Sequence, residues 1–391
     1  MLLRNLEMIQ QKAKGLNSRS EAVPYLEDGF LPLITAPMYS VVDENNYQIF
    51  LDNKVRVCLP RNVGISLNVS ADKLDPIYEQ VWCSVSLQQF VDYWCRLDSP
   101  AAMMKSDGIP DLICVDTANG NMQQLHEAIR EAKKIHGETL VIMAGNVSSV
   151  EAFVELAKTG VDYIRVGIGG GSGCNTTNNT GVGQEDLGIL IHQCNYLRNE
   201  FSNPIFKEGL HNYPFFGKFR RTDYTQIELA NIRNVKIVAD GISSYIKLCQ
   251  QKYNFNDNGY AAIIKLLNSG ANLVMIGGLF AQCYESAGEK AFAINKETRS
   301  SQDLVKVSGM STVEEQKKYK EPTNLGTQDL NVPRLKPSEG STKWVPVRWT
   351  LGEWLQGSDK QDEHPYLNGF VNSLKSAMSY TGSKTLNEFK S

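Results

Sequence analysis

The fold is decided by residues 111–166, which read DLICVDTANGNMQQLHEAIREAKKIHGETLVIMAGNVSSVEAFVELAKTGVDYIRV. Three short apolar runs in this stretch, 112–115, 140–144 and 163–166, have the length of buried strands. The two intervals between the runs are long enough for helices. Strands that alternate with helices form a parallel sheet, because each helix carries the chain back across the sheet. The stretch therefore predicts two consecutive strand–helix–strand units.

Both intervals have the pattern of an amphipathic helix. In the first, over 122–136, the apolar residues recur at the three- and four-residue spacing of one helix face. These residues are Leu125, Ala128, Ile129, Ala132 and Ile135. In the second, Ser148 and Ser149 can cap a helix that ends before Gly160. One face of each helix can therefore cover the sheet.

Similar apolar runs on both sides raise the number of strand candidates to eight. The other five are at 33–36, 64–67, 81–85, 235–239 and 273–276. A further helix is predicted over 260–267. Residues 40–80 have the least regular pattern in this set. Eight strands that alternate with helices are typical of a (β/α)8 barrel, which belongs to the α/β class.

The chain has 391 residues, more than the roughly 250 of a minimal barrel. We therefore predict a single barrel domain over 1–391 with three additions. The first is an insertion at 190–232, between the sixth and seventh strands, whose middle is aromatic and basic. The second is a polar, proline-containing mobile flap at 300–343. The third is a closing segment at 367–391 with an apolar helix face.

The composition disfavours several classes of protein. Lys and Arg number 40 against 43 Asp and Glu, a formal charge of −3, which disfavours a basic nucleic-acid-binding module. No segment approaches the roughly 18 to 20 apolar residues of a membrane span, and residues 1–15 lack the apolar core of a signal peptide. The eight cysteines form no CxxC pair, which favours reduced thiols. We expect a soluble, cytoplasmic protein.

The densest chemical signal is the glycine-rich segment at 165–183, RVGIGGGSGCNTTNNTGVG, which begins at the end of the sixth predicted strand. Backbone N–H groups in such a loop can bind a phosphate, and its carbonyls can bind a monovalent cation. Cys174 follows the glycines at the predicted carboxyl-terminal mouth of the barrel, where we expect it to be partly exposed. The alternative is a structural glycine turn with an unreactive cysteine.

Four further strands are followed by polar or glycine residues. These residues are Asp116, Gly145, Asn146, Asp240, Gly241, Gly277 and Gly278. A single such aspartate is more often a helix cap, but ligands of barrels bind at the carboxyl ends of the strands. Two glycines after the last strand suit a phosphate that is held by backbone amides. The strand ends therefore predict a ligand site at the same mouth as Cys174.

Nine motifs then occur in order towards the C-terminus. They are VDTANGN (115–121), MAGNV (143–147), RVGIGGGSGCNTT (165–177), TGVG (180–183), IVADG (237–241), MIGG (275–278), SGMST (308–312), SEG (338–340) and SYTGSKTL (379–386). In this order they resemble the family of IMP dehydrogenases and GMP reductases, and TAPMYSVVDE (35–44) is similar before them. The resemblance implies a (β/α)8 barrel, usually a homotetramer, whose loop cysteine attacks C2 of the purine of a nucleoside monophosphate.

The resemblance also implies which residues form the substrate site. Cys174 matches the nucleophile, and Thr176 and Glu339 match a pair that handles the proton of water or ammonia. The nucleotide would be bound by Ser172, Asp240, Gly241, Gly277, Gly278, Gly309, Met310, Ser311 and Gly340. In this set, Asp240 matches the acceptor of the ribose hydroxyls.

A nicotinamide dinucleotide and a potassium ion follow from the same resemblance. We predict NADPH, with NADH or NAD as the alternatives. Its contacts would come from Asp116, Thr117, Ala118, Asn119 and Gly120, and the dinucleotide of a neighbouring subunit would be contacted by Ser376, Ala377, Met378 and Ser379. Backbone carbonyls would hold K+, and they are those of Gly169, Gly171 and Cys174.

Within the family, the chain resembles GMP reductase more than IMP dehydrogenase. Dehydrogenases have an Arg-Tyr pair in the flap, where this chain has Arg334 followed by Leu335. They also usually have a paired regulatory domain after the second strand, and none fits between the second and third predicted strands. We therefore predict NADPH-dependent reductive deamination of GMP, or of a deoxy or modified form, to IMP and ammonia.

Two alternatives remain open at this stage. One is an IMP dehydrogenase, which oxidises IMP to XMP with NAD. The other is a purine-nucleotide-binding barrel without catalysis, because residues 184–186 and Ile242 depart from the family pattern beside the nucleotide. In each case the partner is a purine nucleoside monophosphate rather than a nucleic acid or a membrane.

Overall fold

Eight parallel strands form the centre of the structure. It is a computed structural model that describes residues 8–12, 14–63, 80–96, 111–171, 174–202, 219, 221–294, 301–309, 312, 340–358 and 367–390. The strands are β1 (Leu33–Thr35), β2 (Val57–Leu59), β3 (Val81–Val85), β4 (Leu112–Asp116), β5 (Val141–Val147), β6 (Tyr163–Val166), β7 (Lys236–Ala239) and β8 (Leu273–Ile276).

The strands close into a barrel, which confirms the predicted fold class. The hydrogen-bonded order is β1-β8-β7-β6-β5-β4-β3-β2, and every pairing is parallel. Backbone hydrogen bonds also join the two ends of this sheet. The N–H of Thr35 donates to the carbonyl of Arg56 at 2.9 Å, and that of Arg56 donates to Leu33 at 3.1 Å.

Seven of the eight predicted strands are present, and the second was placed wrongly. The second barrel strand is β2, whereas residues 64–67, to which this role was assigned, lie outside the described residues. A charged residue, Arg56, breaks the apolar run just before β2. Its side chain is nevertheless buried, because it pairs with Asp28 and donates to the carbonyl of Leu31 at 2.8 Å. A partnered cation can therefore begin a buried strand.

Side chains of the strands alternate between the barrel interior and the surrounding helices. The interior cluster includes Ile34, Cys58, Trp82, Cys114, Met143, Val238 and Met275. Their neighbours along each strand point outward and pack with the helices in the larger core cluster. This period of two is what the pleated strand imposes, and it fills the barrel with side chains rather than leaving a pore.

Helices surround the barrel and connect its strands. They are α1 (Tyr47–Asp52), α2 (Leu87–Trp94), α3 (Gln123–His136), α4 (Val150–Ala157), α5 (Thr176–Thr180), α6 (Leu187–Ser202), α7 (Gln226–Asn234), α8 (Ile242–Tyr253), α9 (Tyr260–Asn268), α10 (Gly278–Ala281), α11 (Leu351–Gln356), α12 (Phe370–Thr381) and α13 (Leu386–Phe389). The three helices predicted between strands are α3, α4 and α9. As predicted, Ser149 caps α4, because its hydroxyl accepts a hydrogen bond from the N–H of Ala152 at 3.2 Å.

Two helices lie in the region predicted as an insertion at 190–232. Helix α6 packs against β6, β7 and α4, and Ile191, Cys194 and Leu197 on it are fully buried. Helix α7 packs against α4 and α6. Residues 203–218 and 220 lie outside the described residues. The barrel helix that follows β6 therefore falls largely inside the predicted boundaries of the insertion.

A small antiparallel sheet lies where the flap was predicted to begin. It consists of β9 (Lys290–Ile294), β10 (Ser301–Ser308) and β11 (Thr342–Pro346), with β10 in the middle. The inner residues Val305 and Val307 are buried, so the sheet is attached to the barrel through β10. The remainder of the predicted flap, except Gly309, Thr312, Gly340 and Ser341, lies outside the described residues.

Residues 12 and 14–23 pack beside residues 379–384. The N–H groups of Lys12, Leu16 and Val23 donate to the carbonyls of Tyr380, Ser379 and Lys384 at 2.8–3.2 Å. Helix α12, in the predicted closing segment, packs against α9 and α11. Among the described residues, no helix is long and apolar enough to cross a membrane.

Candidate active site at the carboxyl ends of the strands

The glycine-rich loop after β6 packs directly on the start of α8. Gly170 has a φ of +73°, and a Cβ there would lie 2.5 Å from the carbonyl oxygen of Gly241. Gly241 has a φ of +68° and caps α8, and a Cβ there would clash with the carbonyl of Gly169. Glycine is therefore required at both positions. The close approach brings two predicted ligand segments together at the N-terminus of α8, where the helix dipole favours an anion.

Part of that N-terminus is occupied by the protein itself. The N–H of Ser244 donates to the carbonyl of Gly170 at 2.8 Å. Ile242, which departs from the family pattern, is buried in the core. A phosphate at this place would therefore be bound by backbone N–H groups that precede Ser244, and the Ile242 side chain does not fill the loop.

One arginine connects three strands below this loop. Arg165, on β6, donates through Nη1 to Oδ1 of Asp116 on β4 at 2.6 Å. Through Nη2 and Nε it donates to Oδ2 of Asp240, which follows β7, at 2.8 and 3.1 Å. The guanidinium thus joins two carboxylates that the sequence placed in different subsites. Its side chain is 8% exposed, so the ion pairs are shielded from water.

Two further polar residues belong to the network. Nη2 of Arg61, which follows β2, lies 3.1 Å from Oδ2 of Asp116. The side-chain amide of Asn146 donates to Oδ2 of Asp240 at 2.8 Å and to the carbonyl of Gly167 at 2.6 Å. Among the described residues, the network thus contains two cations and two carboxylates, whose formal charges balance.

The network changes the acidity of its members. Burial on its own raises the pKa of Asp116, but the guanidinium groups of Arg165 and Arg61 outweigh this effect and lower the pKa from 3.8 to about 2. Burial likewise disfavours the charged form of Arg165, but Asp240, Cys114 and Asp116 outweigh it and raise its pKa. Both side chains are therefore charged at neutral pH.

Cys174 lies at the same end of the barrel and is half-buried. Its thiol lies 3.2 Å from Oγ1 of Thr176, the first residue of α5. Its backbone forms an antiparallel bridge with Gly340, and the N–H of Gly309 donates to the neighbouring Ser341 at 3.1 Å. The structure therefore brings together the predicted nucleophile, its predicted hydroxyl partner and two predicted nucleotide contacts.

The other seven cysteines have different surroundings. Six of them are buried, and burial raises the pKa of Cys83 to about 12. Cys95 is half-buried like Cys174, but burial and the nearby Glu131 also raise its pKa to about 12. All eight cysteines are free thiols, as predicted. Cys174 is the half-buried cysteine that stands beside the glycine loop.

The segment predicted to bind the dinucleotide is anchored to the end of β5. The hydroxyl of Thr117 donates to the carbonyl of Gly145 at 2.6 Å, and the N–H of Gly120 donates to that of Asn146 at 2.8 Å. Ala118 and Asn119 are exposed between these anchors. Asp116 to Gly120 therefore form a short fixed loop at the mouth, next to the Arg165 network.

The remaining predicted residues lie on different elements or outside the described residues. Gly277 and Gly278 lie at the end of β8, where a Cβ on Gly277 would approach Sδ of Met38 to 2.9 Å. Ser376, Ala377 and Ser379 are half-buried on α12, whereas Met378 is fully buried, which argues against direct contact of its side chain with a dinucleotide. Four predicted residues lie outside the described ones: Ser172, Met310, Ser311 and Glu339.

A cavity of about 360 Å³ lies at the opposite end of the barrel. Arg56, Lys133, Asp162 and Lys236 line it where the strands begin. It is remote from Cys174, because Arg56 and Asp162 directly precede their strands and Lys236 is the first residue of its strand. Ligands of (β/α)8 barrels bind at the carboxyl ends, so the candidate active site is the mouth with Cys174.

A family comparison agrees with this placement. Residues 90–213 and 224–391 match the model of the IMP dehydrogenase / GMP reductase domain. The chain belongs to this family. The match covers the fourth to eighth strands together with the loop that carries Cys174, and its gap at 214–223 falls inside the predicted insertion.

Individual relatives carry both names. The chain is 24% identical to inosine-5'-monophosphate dehydrogenase of Mycobacterium leprae over 75% of its length and 44% of that protein. It is 27% identical to GMP reductase of Caenorhabditis elegans over 71% of its length and 56% of that protein. It is 28% identical to GMP reductase of Phytophthora infestans over 73% of its length and 59% of that protein. The chain thus spans about half the length of these curated relatives.

Sequence reasoning had assigned no role to Arg165 or Arg61. The sequence does contain a signal for Arg165, because it is a charged residue inside the apolar strand YIRV. A buried cation needs a partner, so this position predicts an ion pair. Arg61 has no such signal, because it stands in a loop of irregular sequence and meets Asp116 only through the pairing of β2, β3 and β4 in the sheet.

Proposed function

We propose that this protein is a purine nucleotide oxidoreductase that reductively deaminates GMP to IMP and ammonia with NADPH. The observation that carries the proposal is the Cys174–Thr176 pair beside the glycine loop, at the mouth to which the strand ends converge. A thiolate is a good nucleophile towards an electron-poor purine carbon and a good leaving group afterwards. A neighbouring hydroxyl can hold or move a proton.

The nucleotide would lie between the loop after β6 and the strands that follow it. In this proposal, the backbone at Ser172, Gly241, Gly277 and Gly278 holds the phosphate, and Asp240 accepts hydrogen bonds from the ribose. Oδ1 of Asp240 accepts from the N–H of Gly241 at 2.6 Å, which fixes the carboxylate. Gly309, Met310, Ser311 and Gly340 would face the base. Such fixed polar groups supply orientation at little entropic cost.

The reaction needs one thiolate and two protons. Cys174 Sγ forms a bond to C2 of GMP, and the C2–N bond breaks as ammonia leaves with protons delivered through Thr176 and Glu339. Bound NADPH would supply the hydride that reduces C2. The C2–S bond then breaks, IMP is released and Cys174 returns as a thiolate. Overall, GMP, NADPH and two protons give IMP, NADP+ and an ammonium ion.

The residues at the mouth fit a dinucleotide. Asp116 presents a carboxylate held in its charged form, and the exposed Ala118 and Asn119 stand on a fixed loop beside it. Among the potassium ligands that the resemblance implies, the Gly171 carbonyl accepts a hydrogen bond from the Cys174 N–H at 3.1 Å. One of the three carbonyls is thus already engaged inside the loop, and K+ remains a proposal to be tested by exchanging K+ for Na+.

The chain between β2 and β3 favours the reductase over the dehydrogenase. Residues 60–80 connect these strands and leave no room for a paired regulatory domain, even with β2 at its corrected position. The dehydrogenase remains the second candidate, because relatives of both names are similarly distant.

The proposal is tested by one assay on the purified chain. The protein is incubated with GMP or dGMP and NADPH, and in parallel with IMP and NAD, while dinucleotide absorbance and ammonia are followed. NADPH oxidation with an equal amount of ammonia is the expected result. Reduction of NAD with IMP would replace the proposal by the dehydrogenase, and nucleotide binding without turnover would replace it by the binding barrel.

A further inference from the structure

Arg165 contacts both predicted subsites at once. Its Nη1 donates to Asp116, which the proposed function places at the dinucleotide, and its Nη2 and Nε donate to Asp240, which it places at the nucleotide. These three bonds use both edges of one planar guanidinium. A change in the position of Arg165 must therefore disturb both carboxylates together.

The two carboxylates depend on this arginine electrostatically. Their side chains are 14% and 15% exposed, so repulsion between them is only weakly screened by water. Arg61 offsets the charge of Asp116, while Asn146 offers Asp240 only a neutral amide. Arg165 therefore supplies the positive charge that the two carboxylates share.

We propose that Arg165 is a positioning residue that couples nucleotide binding to dinucleotide binding, an inference that rests on the proposed function. It holds Asp240 in the orientation that accepts the ribose of the nucleotide and Asp116 in the orientation that accepts the ribose of the dinucleotide. Neither role requires Arg165 to touch a ligand. The coupling is physical, because both orientations are set by one planar guanidinium group.

The network contains two natural comparators. Arg61 donates to Asp116 and belongs to the dinucleotide side. Asn146 donates to Asp240 and belongs to the nucleotide side. If the coupling is correct, variants at these two positions weaken one ligand each, whereas a variant at Arg165 weakens both.

The experiment measures the two affinities separately. GMP and NADP+ do not react with each other, so calorimetry of the full chain with each of them gives Kd without turnover. Arg165→Lys keeps the charge but cannot form the three-bond fork, and we expect both Kd values to rise about tenfold, in keeping with the loss of charge-assisted hydrogen bonds. Arg61→Lys should raise the Kd of NADP+ alone, and Asn146→Ala that of GMP alone.

Turnover and folding provide the remaining readouts. With Arg165→Lys, KM for GMP and for NADPH should both rise, while kcat falls less than about threefold, because the reacting groups stay in place. Arg165→Gln should raise both Kd values further than Arg165→Lys does. The lysine variant would then be a partial rescue. Circular dichroism and thermal unfolding confirm that each variant is folded before its Kd is used.

The coupling is overturned if Arg165→Lys raises only one Kd, or lowers kcat while both Kd values stay unchanged. The proposed function fails separately, when the wild-type chain binds GMP and NADP+ but releases no ammonia from GMP with NADPH. In that case the Kd values still decide the coupling. A wild-type chain that binds neither ligand overturns both.

Discussion

At the amino ends of the barrel strands, charged side chains pair one to one around a cavity, whereas at the carboxyl ends one guanidinium is shared by two carboxylates. The amino-end pairs are Arg56–Asp28 and Lys133–Asp162, the second at 2.7 Å. At the carboxyl end, Arg165 joins Asp116 and Asp240 at 2.6 and 2.8 Å. A local pair fixes the two segments that it joins, while a shared cation makes two sites depend on each other.

This difference indicates how each end is used. In (β/α)8 barrels, residues at the amino ends of the strands generally contribute to stability, and residues at the carboxyl ends bind ligands. The candidate nucleophile Cys174 and the glycine loop lie only at the second of these ends. We therefore expect substitutions at the carboxyl end to change activity, and those at the amino end to change unfolding without changing activity.

The largest expected effect is on turnover, at Cys174. Cys174→Ala removes the proposed nucleophile, and we expect kcat to fall by at least about a thousandfold, as for other covalent catalysts. The Kd of GMP should change less than about threefold, because binding does not require the chemical step. Calorimetry measures this Kd without turnover. Cys95→Ala is the matched control, because Cys95 is also half-buried but lies beside Ala128. Normal turnover of Cys174→Ala would rule out the mechanism.

The next effect is on stability, at the amino end. Arg56→Ala removes a buried cation and leaves Asp28 and the Leu31 carbonyl without it. We expect the free energy of unfolding to fall by about 2–3 kcal/mol, at or below the lower end of the range of roughly 3–5 kcal/mol for a broken buried pair, because Asp28 is partly exposed. Urea denaturation measures this change. Lys134→Ala, which removes an exposed pair with Glu131, should change it by less than about 0.5 kcal/mol.

Kinetic measurements test whether the amino end affects activity. The Arg56→Ala protein should keep its kcat and KM under conditions in which it is folded, because Arg56 is at the end opposite Cys174. A tenfold loss of kcat in folded Arg56→Ala would show that the two ends are not separate in function.

Acid should act on the carboxyl end. The pKa of Asp116 is lowered to about 2 in the folded protein by Arg165 and Arg61, against about 3.9 in an unfolded chain. A depressed carboxyl pKa adds stability that is present above about pH 4 and is lost as the pH falls towards 2. We expect Asp116→Asn to be less stable than wild type by about 2 kcal/mol at pH 6. The difference should shrink below pH 4 in urea denaturation, and a constant difference would contradict the assignment.

Base should act on the amino end, where the free energy of unfolding again rises with pH. Burial, together with Arg198, Arg56 and Lys236, lowers the pKa of Lys390 from 10.5 to about 8. The unfolded chain then binds more protons between pH 8 and 10.5, so the free energy of unfolding rises with pH over this window. Lys390→Met should stabilise the protein at pH 7 by about 1 kcal/mol, since it removes an unfavourably buried charge. The gain should disappear near pH 10.5, and destabilisation at pH 7 would refute this explanation.

Much of the fold could be predicted because apolar periodicity is local. The runs that became β4, β5 and β6 and the helix faces between them are readable without knowing any contact. The second strand was missed because Arg56, just before it, is charged. The burial of Arg56 depends on Asp28, which lies far away in the sequence. The predicted start of the insertion at residue 190 falls inside α6 for a similar reason, because the place of α6 in the barrel depends on its contacts with β6 and β7.

The sequence by itself determined the alternation of strands and helices, the glycine loop with Cys174 and the family to which the chain belongs, since each of these is written in short contiguous patterns. Only the tertiary structure decided that Arg165 joins Asp116 to Asp240, that Arg61 reaches the same carboxylate and that Gly340 pairs with Cys174. Assembly of the sheet and its loops brings together side chains that are far apart in the sequence, and no local pattern records which of them then meet.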